Sequence, residues 1–439
     1  VGGNIVSGSW GRLPIEGPRR SIERDWRFEA IPPELDPGDS LLAYGRGRSY
    51  GDSCINSRGS HISTRRLNRF VSFDEDSGFL ECEAGITLDE ILDVIVPKGW
   101  FLPVVPGTRF VTLGGAIAND VHGKNHHSAG SFGCYICSLE VLRSDGSRTL
   151  CTRDKNSEIF AATIGGLGLT GLITKAEIQL KKIASDTMLT QNVPFSSIEH
   201  FVELSSESIQ WDYSVAWVDT TASGANAGRG ILARARHAID ETQLATPQNK
   251  RTLSVPFSPP FSLINNWTAR CFNQVYYFLK AHKTNPFAQH YQPFFFPLDS
   301  VRGWNRIYGK QGFYQYQCVV PIEGGCVAVE RLVGEIRQSG QGSFLTVLKV
   351  FGEKVSPGLL SFPRPGLTLA IDFPNRGGKT GSLFEKLDAI VLAVGGALYP
   401  AKDARMSKQM FLAGYPNVEK FAEQIDPQFS SAFWRRMQL

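Results

Sequence analysis

Three long glycine-rich loops constrain this chain more than any other feature. They are GRGRSYGD (Gly45 to Asp52), PGTRFVTLGGAIANDVHGKNHHSAGSFG (Pro106 to Gly133) and GGLGLTGL (Gly165 to Leu172). Such loops present backbone N–H groups that can cradle phosphate, and glycine lets the backbone approach a flat ring or a pyrophosphate closely. One loop of this kind is as readily a tight turn. Three of them close together point to an extended ligand such as a dinucleotide. Yet no GxGxxG stands between a strand and a helix near the start, and no Walker lysine loop is present. If a dinucleotide binds, a fold other than these two binds it.

The chain of 439 residues is long enough for two or three domains, and its 42% hydrophobic content is that of a globular protein. GFLECEAG (Gly78 to Gly85) alternates like a half-buried strand. TLDEILDVIVPKG follows with Leu88, Ile91, Leu92 and Ile95 at helical spacing, Thr87 as N-cap and Gly99 as stop. SLEVLRSDGSRTLC is two apolar runs around Ser-Asp-Gly, a hairpin signal. NSEIFAATIGGLGLTGLITKAEIQL reads as a short helix, a glycine loop and a strand, closing the region near Ile183. The middle, about 184 to 396, changes character. YSVAWVDTT is its first strand, and about 224 to 300 shows little regularity. GFYQYQCVVP, CVAVERLVGEIRQSGQ, FLTVLKVFG, LTLAIDFP and SLFEKLDAIVLAVGG then read as strand, helix, strand, strand, helix. That order predicts an antiparallel sheet with helices packed on one side.

Other function classes fare poorly. The formal charge of +4 is spread along the chain without a basic block, so nucleic-acid binding is not expected. The stretch DVHGKNHHSAGSFGCYIC collects five potential metal ligands. A structural zinc site needs two well-spaced ligand pairs, whereas here one CxxC stands beside adjacent His126 and His127. No metal is expected. The eight cysteines follow no disulfide framework and read as reduced, cytosolic thiols. No apolar run approaches the roughly 18 residues of a membrane span, and VGGNIVSGSWGRLP has no hydrophobic signal core.

Taken together, GRGRSYGD, the long second loop, GGLGLTG and YPAKDAR resemble the family of decaprenylphosphoryl-β-D-ribose 2′-oxidases, FAD enzymes of the vanillyl-alcohol-oxidase type. The likeness runs in order over nearly the whole chain to AFWRRMQL and is least constrained over 255 to 300. It implies an α+β fold. Residues 1–183 and 397–439 would form a two-part FAD-binding domain. Residues 184–396 would form a substrate domain, with an antiparallel sheet and helices, over the flavin ring.

The resemblance also implies site residues. Gly45, Gly47, Arg48, Ser49, Tyr50 and Gly51 would lie along the FAD pyrophosphate and ribose. Gly107, Thr108, Thr112, Gly114 and Gly115 would cradle the phosphates and approach the ring. Asn119, His122 and Gly123 would sit near the isoalloxazine, and Gly168, Thr170, Gly171 and Ile173 would hold the adenine half. Some relatives attach flavin through a histidine in the first loop; Arg48 stands there in this chain, so FAD is expected to be non-covalent. Tyr399 and Lys402 would return to flavin and sugar, with Lys349, Gln315, Gln317 and Thr368 on the substrate side. Lys349 would suit a substrate phosphate. Relatives sensitive to covalent nitroaromatic inhibitors carry cysteine in the strand before DFP, where this chain has Ala370. Their neighbouring asparagine is Thr368 here, which bears on sugar recognition.

Oxidising a secondary alcohol requires a hydride acceptor, a base for the hydroxyl proton, and positive charge beside the reduced ring. Lys402, partly desolvated, and His122 are the two candidates for the base, and sequence does not choose between them. The expected reaction is oxidation of the 2′-hydroxyl of a polyprenylphosphoryl pentofuranose to the keto sugar. An NAD(P)H-dependent ketoreductase would complete epimerisation from ribo to arabino. The alternative is an oxidase of free alditols or aldonolactones. The aromatic, weakly basic stretch 255–300 carries two readings: a buried lid, or a mobile lid touching the membrane surface through Arg270, Lys280 and Lys283. The expected location is cytoplasmic, and on the second reading peripheral on the inner face of the membrane.

Overall fold

The computed structural model describes residues 8–31, 38–239 and 253–437. Its first third is built on two small sheets. A parallel sheet orders Arg20–Glu23, Gly59–Ser63 and Ser40–Tyr44. An antiparallel sheet orders Phe70–Phe73, Phe79–Glu83, Leu172–Gln179, Ile136–Leu142 and Arg148–Thr152. The last two of these strands are the hairpin expected around Ser-Asp-Gly. The helix Leu88–Ile95 starts where its capping residues dictate. Thr87 Oγ1 accepts from Glu90 N at 3.2 Å, and Glu90 Oε2 accepts from Thr87 N at 2.8 Å, a reciprocal capping box.

The remaining chain forms one eight-stranded sheet, antiparallel at every pairing. Its order is Phe287–His290, Thr187–Phe195, Gly230–His237, Tyr213–Val218, Thr346–Phe351, Gly366–Pro374, Phe313–Val320 and Ala397–Leu398. Side chains alternate across it with the period of two that a pleated strand imposes. Leu367, Leu369, Ile371 and Phe373 enter the main core with Tyr316, Cys318 and Leu348, beneath the helices Gly325–Gln338 and Gly378–Ala393. Thr368, Ala370, Gln315, Gln317 and Lys349 face the opposite side, onto a cavity.

Three elements show best how the middle region differs from the sequence reading. Thr187–Phe195 is a nine-residue strand ahead of Tyr213–Val218, although Pro194 lies within it. Gly230–His237 is a strand in the stretch that shows little regularity, its alternation obscured by Arg234 and Arg236. Asn266–Ala281 is a sixteen-residue helix capped by Asn265. It buries only Ala269 and Asn273, so no apolar stripe marks an inner face.

The C-terminal segment crosses back. Ala397–Leu398 edges the large sheet, and the helices Lys408–Gly414 and Ala432–Met437 share its core through Met410, Phe411, Phe433 and Met437.

Candidate active site

The glycine loops meet the open face of the large sheet around a cavity of about 1100 Å³. The second loop turns into the short helix Leu113–Ala118, whose cap Thr112 Oγ1 accepts from Gly115 N at 3.1 Å. The first loop packs against that cap. A Cβ at Gly45 would stand 2.5 Å from Thr112 Oγ1, so the two backbones approach only because residue 45 is glycine.

Of the residues named from the sequence, all but Gly51 and Thr170 line this cavity. Those two correct the expectation that every member of the motifs lies along the cofactor. Gly51 is pressed against the Asp403 backbone, where no side chain fits. Thr170 is buried and shares a 2.9 Å hydroxyl hydrogen bond with Thr163. Their demand for small or polar side chains comes from packing.

His122 sits at the junction of loops and sheet. Its Nδ1 lies 2.8 Å from Lys349 Nζ, and its Nε2 lies 2.9 Å from the Gln317 side-chain amide. Lys349 also donates to the Gly123 carbonyl at 3.1 Å. An imidazolium would need acceptors on both sides, and an ammonium cannot accept. Burial first, then the Lys349 charge, hold the His122 pKa well below its ordinary value. The imidazole is neutral.

Tyr399 donates to the Asn119 carbonyl at 2.7 Å and stacks on Phe362, which fixes the return of the C-terminal segment to the second loop. Three residues on, Lys402 places Nζ 3.8 Å from the centroid of Tyr50. Tyr50 N donates to the Ala401 carbonyl at 2.9 Å, so first loop and lysine segment are joined along their backbones. Burial lowers Lys402 to about 7, opposed by the carboxylate of Asp372.

Two wall-side groups were absent from the sequence reading. Lys124 is half-buried, donates to the Phe294 carbonyl, lies 4.4 Å over the Phe294 ring and is lowered to about 7 by desolvation. It directly follows the His-Gly pair, a signal available in HGKNHH. Asp372 opens the DFP run; its Oδ1 accepts from Gln315 Nε2 at 2.6 Å, and burial raises it to about 7. His126 and His127 make backbone contacts: His126 Nδ1 accepts from Gly352 N at 3.2 Å, and His127 Nε2 lies 3.2 Å from the Trp211 carbonyl.

The cavity suits a dinucleotide on its own terms. A Cβ at Gly107 would meet nothing within 4 Å, so this position leaves open space in the wall. The buried Nε of Arg48, on the same wall, has no hydrogen-bond partner. Small cradling residues beside a free guanidinium donor fit a pyrophosphate and a flat ring.

Residues 36–152 match the family described as FAD binding domain. The decaprenylphosphoryl-β-D-ribose oxidase of Mycolicibacterium smegmatis is 37% identical over 92% of this chain and 90% of its own length. A Streptomyces coelicolor protein, described as uncharacterized and in the mprA 5′ region, is 32% identical over 81% of this chain and all of its own. The D-lactate dehydrogenase of Archaeoglobus fulgidus is 30% identical over 35% of each chain. Fold, cavity and matched domain make this protein an FAD-dependent oxidoreductase of the vanillyl-alcohol-oxidase type. Full-length similarity is narrower still: the chain belongs to the decaprenylphosphoryl-β-D-ribose oxidase family.

Proposed function

We propose that this protein oxidises the 2′-hydroxyl of a polyprenylphosphoryl ribose to the 2′-keto sugar, the first half of an epimerisation to arabinose for the cell envelope. The observation that carries this reading is the convergence of Lys402, Gln315, Gln317 and Lys349 with His122 of the second glycine loop on one cavity. The Mycolicibacterium smegmatis relative is named for oxidising such a ribose. An NAD(P)H-dependent ketoreductase would take the product onward.

FAD, when bound, supplies the acceptor for the hydride. Gly45 to Tyr50, Gly107 to Gly115 and Gly168 to Ile173 would hold it, with residues 1–183 and 397–439 as its domain and 184–396 as the substrate domain. No histidine stands at position 48, so the flavin is held without a covalent bond. Lys402 takes the hydroxyl proton. Its amine is substantially neutral near pH 7, whereas both ring nitrogens of His122 are already engaged and a second positive charge beside Lys349 would be costly. His122 and Tyr399 therefore orient the site. Lys349 and Lys124, both lowered to about 7 by burial, face the substrate phosphate, whose negative charge would favour their ammonium forms. Gln315, Gln317 and Thr368 offer hydrogen bonds to the sugar. A free alditol would need neither lysine.

The lipid reaches the site, on this reading, past the helix Asn266–Ala281. Tyr276 and Lys280 of this helix line the cavity. Trp267 (73% exposed), Val275, Phe278 and Leu279, with nearby Phe257 and Phe261, remain in solvent. Arg270, Lys280 and Lys283 flank them. Such a surface suits an anionic bilayer and a peripheral location on the inner face. Among the described residues no helix is long and apolar enough to cross a membrane. Flotation with anionic liposomes should carry the wild type up and leave a Trp267→Ser/Phe278→Ser variant behind; equal flotation of both removes this surface from the proposal.

The reaction is tested by anaerobic flavin bleaching with polyprenylphosphoryl sugars and free polyols. Bleaching by the ribosyl lipid, lost in Lys402→Ala, is expected. Bleaching by polyols alone would favour the alditol reading, and unchanged bleaching in Lys402→Ala would remove that lysine from the chemistry.

A further inference from the structure

We propose that the open face of the large sheet seats the first isoprene units of the lipid substrate, on an apolar row of side chains that leads from the sugar end at Gln317 to Ile231. This rests on the reading that the substrate is a polyprenylphosphoryl ribose.

The row follows from strand register. Gln317 pairs with Ala370, Ala370 with Val347, Val347 with Trp217, and Trp217 with Ile231. Residues paired across antiparallel strands share a face, and all five line the cavity. The residues next to them, Leu369, Leu348, Ala216 and Leu232, pair in the same order and turn into the main core behind the sheet. Neighbouring strands stand about 4.8 Å apart, so the row spans about 19 Å from Gln317 to Ile231. Val215 and Ala233, paired with each other, widen its far end and also line the cavity.

The chemistry changes along the row in the order of the substrate's parts. Gln317 meets His122 at the sugar end. Lys349 stands on the middle strand, two residues from Val347, where the phosphate would follow the sugar. Beyond it come Trp217 and Ile231, only 9% and 2% exposed. Polar groups beside this far end are turned to protein partners. Trp217 Nε1 donates to the Phe344 carbonyl at 3.0 Å, Gln289 Nε2 to Thr190 Oγ1 at 2.9 Å, and Asn192 Nδ2 to the Lys283 carbonyl at 3.3 Å. What remains for a ligand is hydrocarbon surface out of bulk water, which favours a prenyl chain over a sugar or a phosphate. Tyr276 roofs the far end, its ring centroid 4.8 Å from that of Trp217. It belongs to the helix Asn266–Ala281, whose Phe278 and Leu279 are exposed, so the apolar path continues from the row to the surface.

The test photolabels the flavin-loaded protein with farnesyl phosphate carrying a diazirine on its first isoprene unit, and maps adducts by peptide mass spectrometry. No turnover is involved. Adducts on Tyr213–Val218 and Gly230–His237, competed by unlabelled farnesyl phosphate, are expected; no adduct on these strands overturns the proposal. The rate arm compares kcat/KM for a farnesylphosphoryl and a methylphosphoryl riboside. Each methylene taken out of water is worth about fourfold, so the wild type should favour the farnesyl compound by about a hundredfold or more. In Ala233→Phe the added ring enters the far end of the row, and that ratio should fall by about tenfold or more through a raised KM for the farnesyl compound. An unchanged ratio overturns the proposal. Labelled strands in a wild type whose flavin neither riboside bleaches would support this seat and overturn the proposed reaction instead. Should Ala233→Phe fail to fold, labelling of the wild type decides alone.

Discussion

His122 Nδ1 and Lys349 Nζ lie 2.8 Å apart although 227 residues separate them in sequence. The contact joins the second glycine loop to the large sheet and makes the two proton affinities interdependent. Lys349 helps hold His122 neutral, so removing its charge should raise the histidine pKa. In nitrogen-detected NMR, the His122 ring should remain neutral through pH 6 to 8 in the wild type and should titrate at higher pH in Lys349→Met. Burial is the larger cause and persists in the variant, so the new value should still lie below that of a free histidine. Identical titration in both proteins would mean that the short contact carries no electrostatic coupling.

Gly107→Val tests the cradle. An added carbon there meets no protein atom within 4 Å, and the side chain enters cavity space that the cofactor would fill. The variant should fold, with an apoprotein thermal midpoint within about 3 °C of wild-type apoprotein, and purify with little or no bound flavin absorbance. Full flavin content would place the cofactor elsewhere along the wall.

Ala370 faces the cavity opposite Gln317, where thiol-modified relatives have cysteine. Cys54 also lines the cavity, but burial pushes it up to about 12, so it stays a poorly reactive thiol. Intact-mass measurement after incubation with an electrophilic nitroaromatic and reducing substrate should show no adduct on the wild type and one on Ala370→Cys. Modification of the wild type would point to Cys54.

How legible the chain was in its sequence depended on whether a segment's signal was local. The Thr87 capping box, the Ser-Asp-Gly hairpin and the helices from 325 and 378 announce themselves because cap, turn and apolar spacing lie within a few residues. Thr187–Phe195 does not: Pro194 argues against a strand, and its antiparallel partners Gly230–His237 and Phe287–His290, more than thirty residues on, supply the pairing. Asn266–Ala281 escapes for the opposite reason, because its apolar residues are exposed and trace no buried stripe.

The cavity wall was legible where a residue's role is tied to a motif and obscure where it depends on strand register. Gly115 and His122 sit in runs long enough to be distinctive. Lys124 and Asp372 acquire meaning only when Phe294 and Gln315 arrive beside them from a distant helix and a distant strand. Gly51 and Thr170 show the converse: motif residues whose constraint is packing against Asp403 and Thr163.

Arg436, in the last helix, closes a buried bridge between the two loops that flank Lys402. Its Nε and Nη2 donate to Asp52 at 3.0 and 2.9 Å, and Nη2 also to Asp403 at 2.8 Å. Asp52 N donates in turn to the Asp403 carbonyl, so both carboxylates sit on adjoining backbone. Arg436→Met would leave them unpaired. Breaking such a bridge costs about 3–5 kcal/mol when fully buried, and the lower end applies because the arginine side chain is 26% exposed. Burial already raises Asp52 above the usual carboxylate range even with the arginine present, and without it the value climbs further. A carboxyl raised in the folded state penalises folding above its folded pKa, and the penalty fades as pH falls through that value. The deficit of Arg436→Met against wild type, from thermal midpoints, should therefore be larger near pH 7.5 than near pH 5.5. A deficit independent of pH would mean that the lost interaction is packing against Phe433 and not the bridge to Asp52.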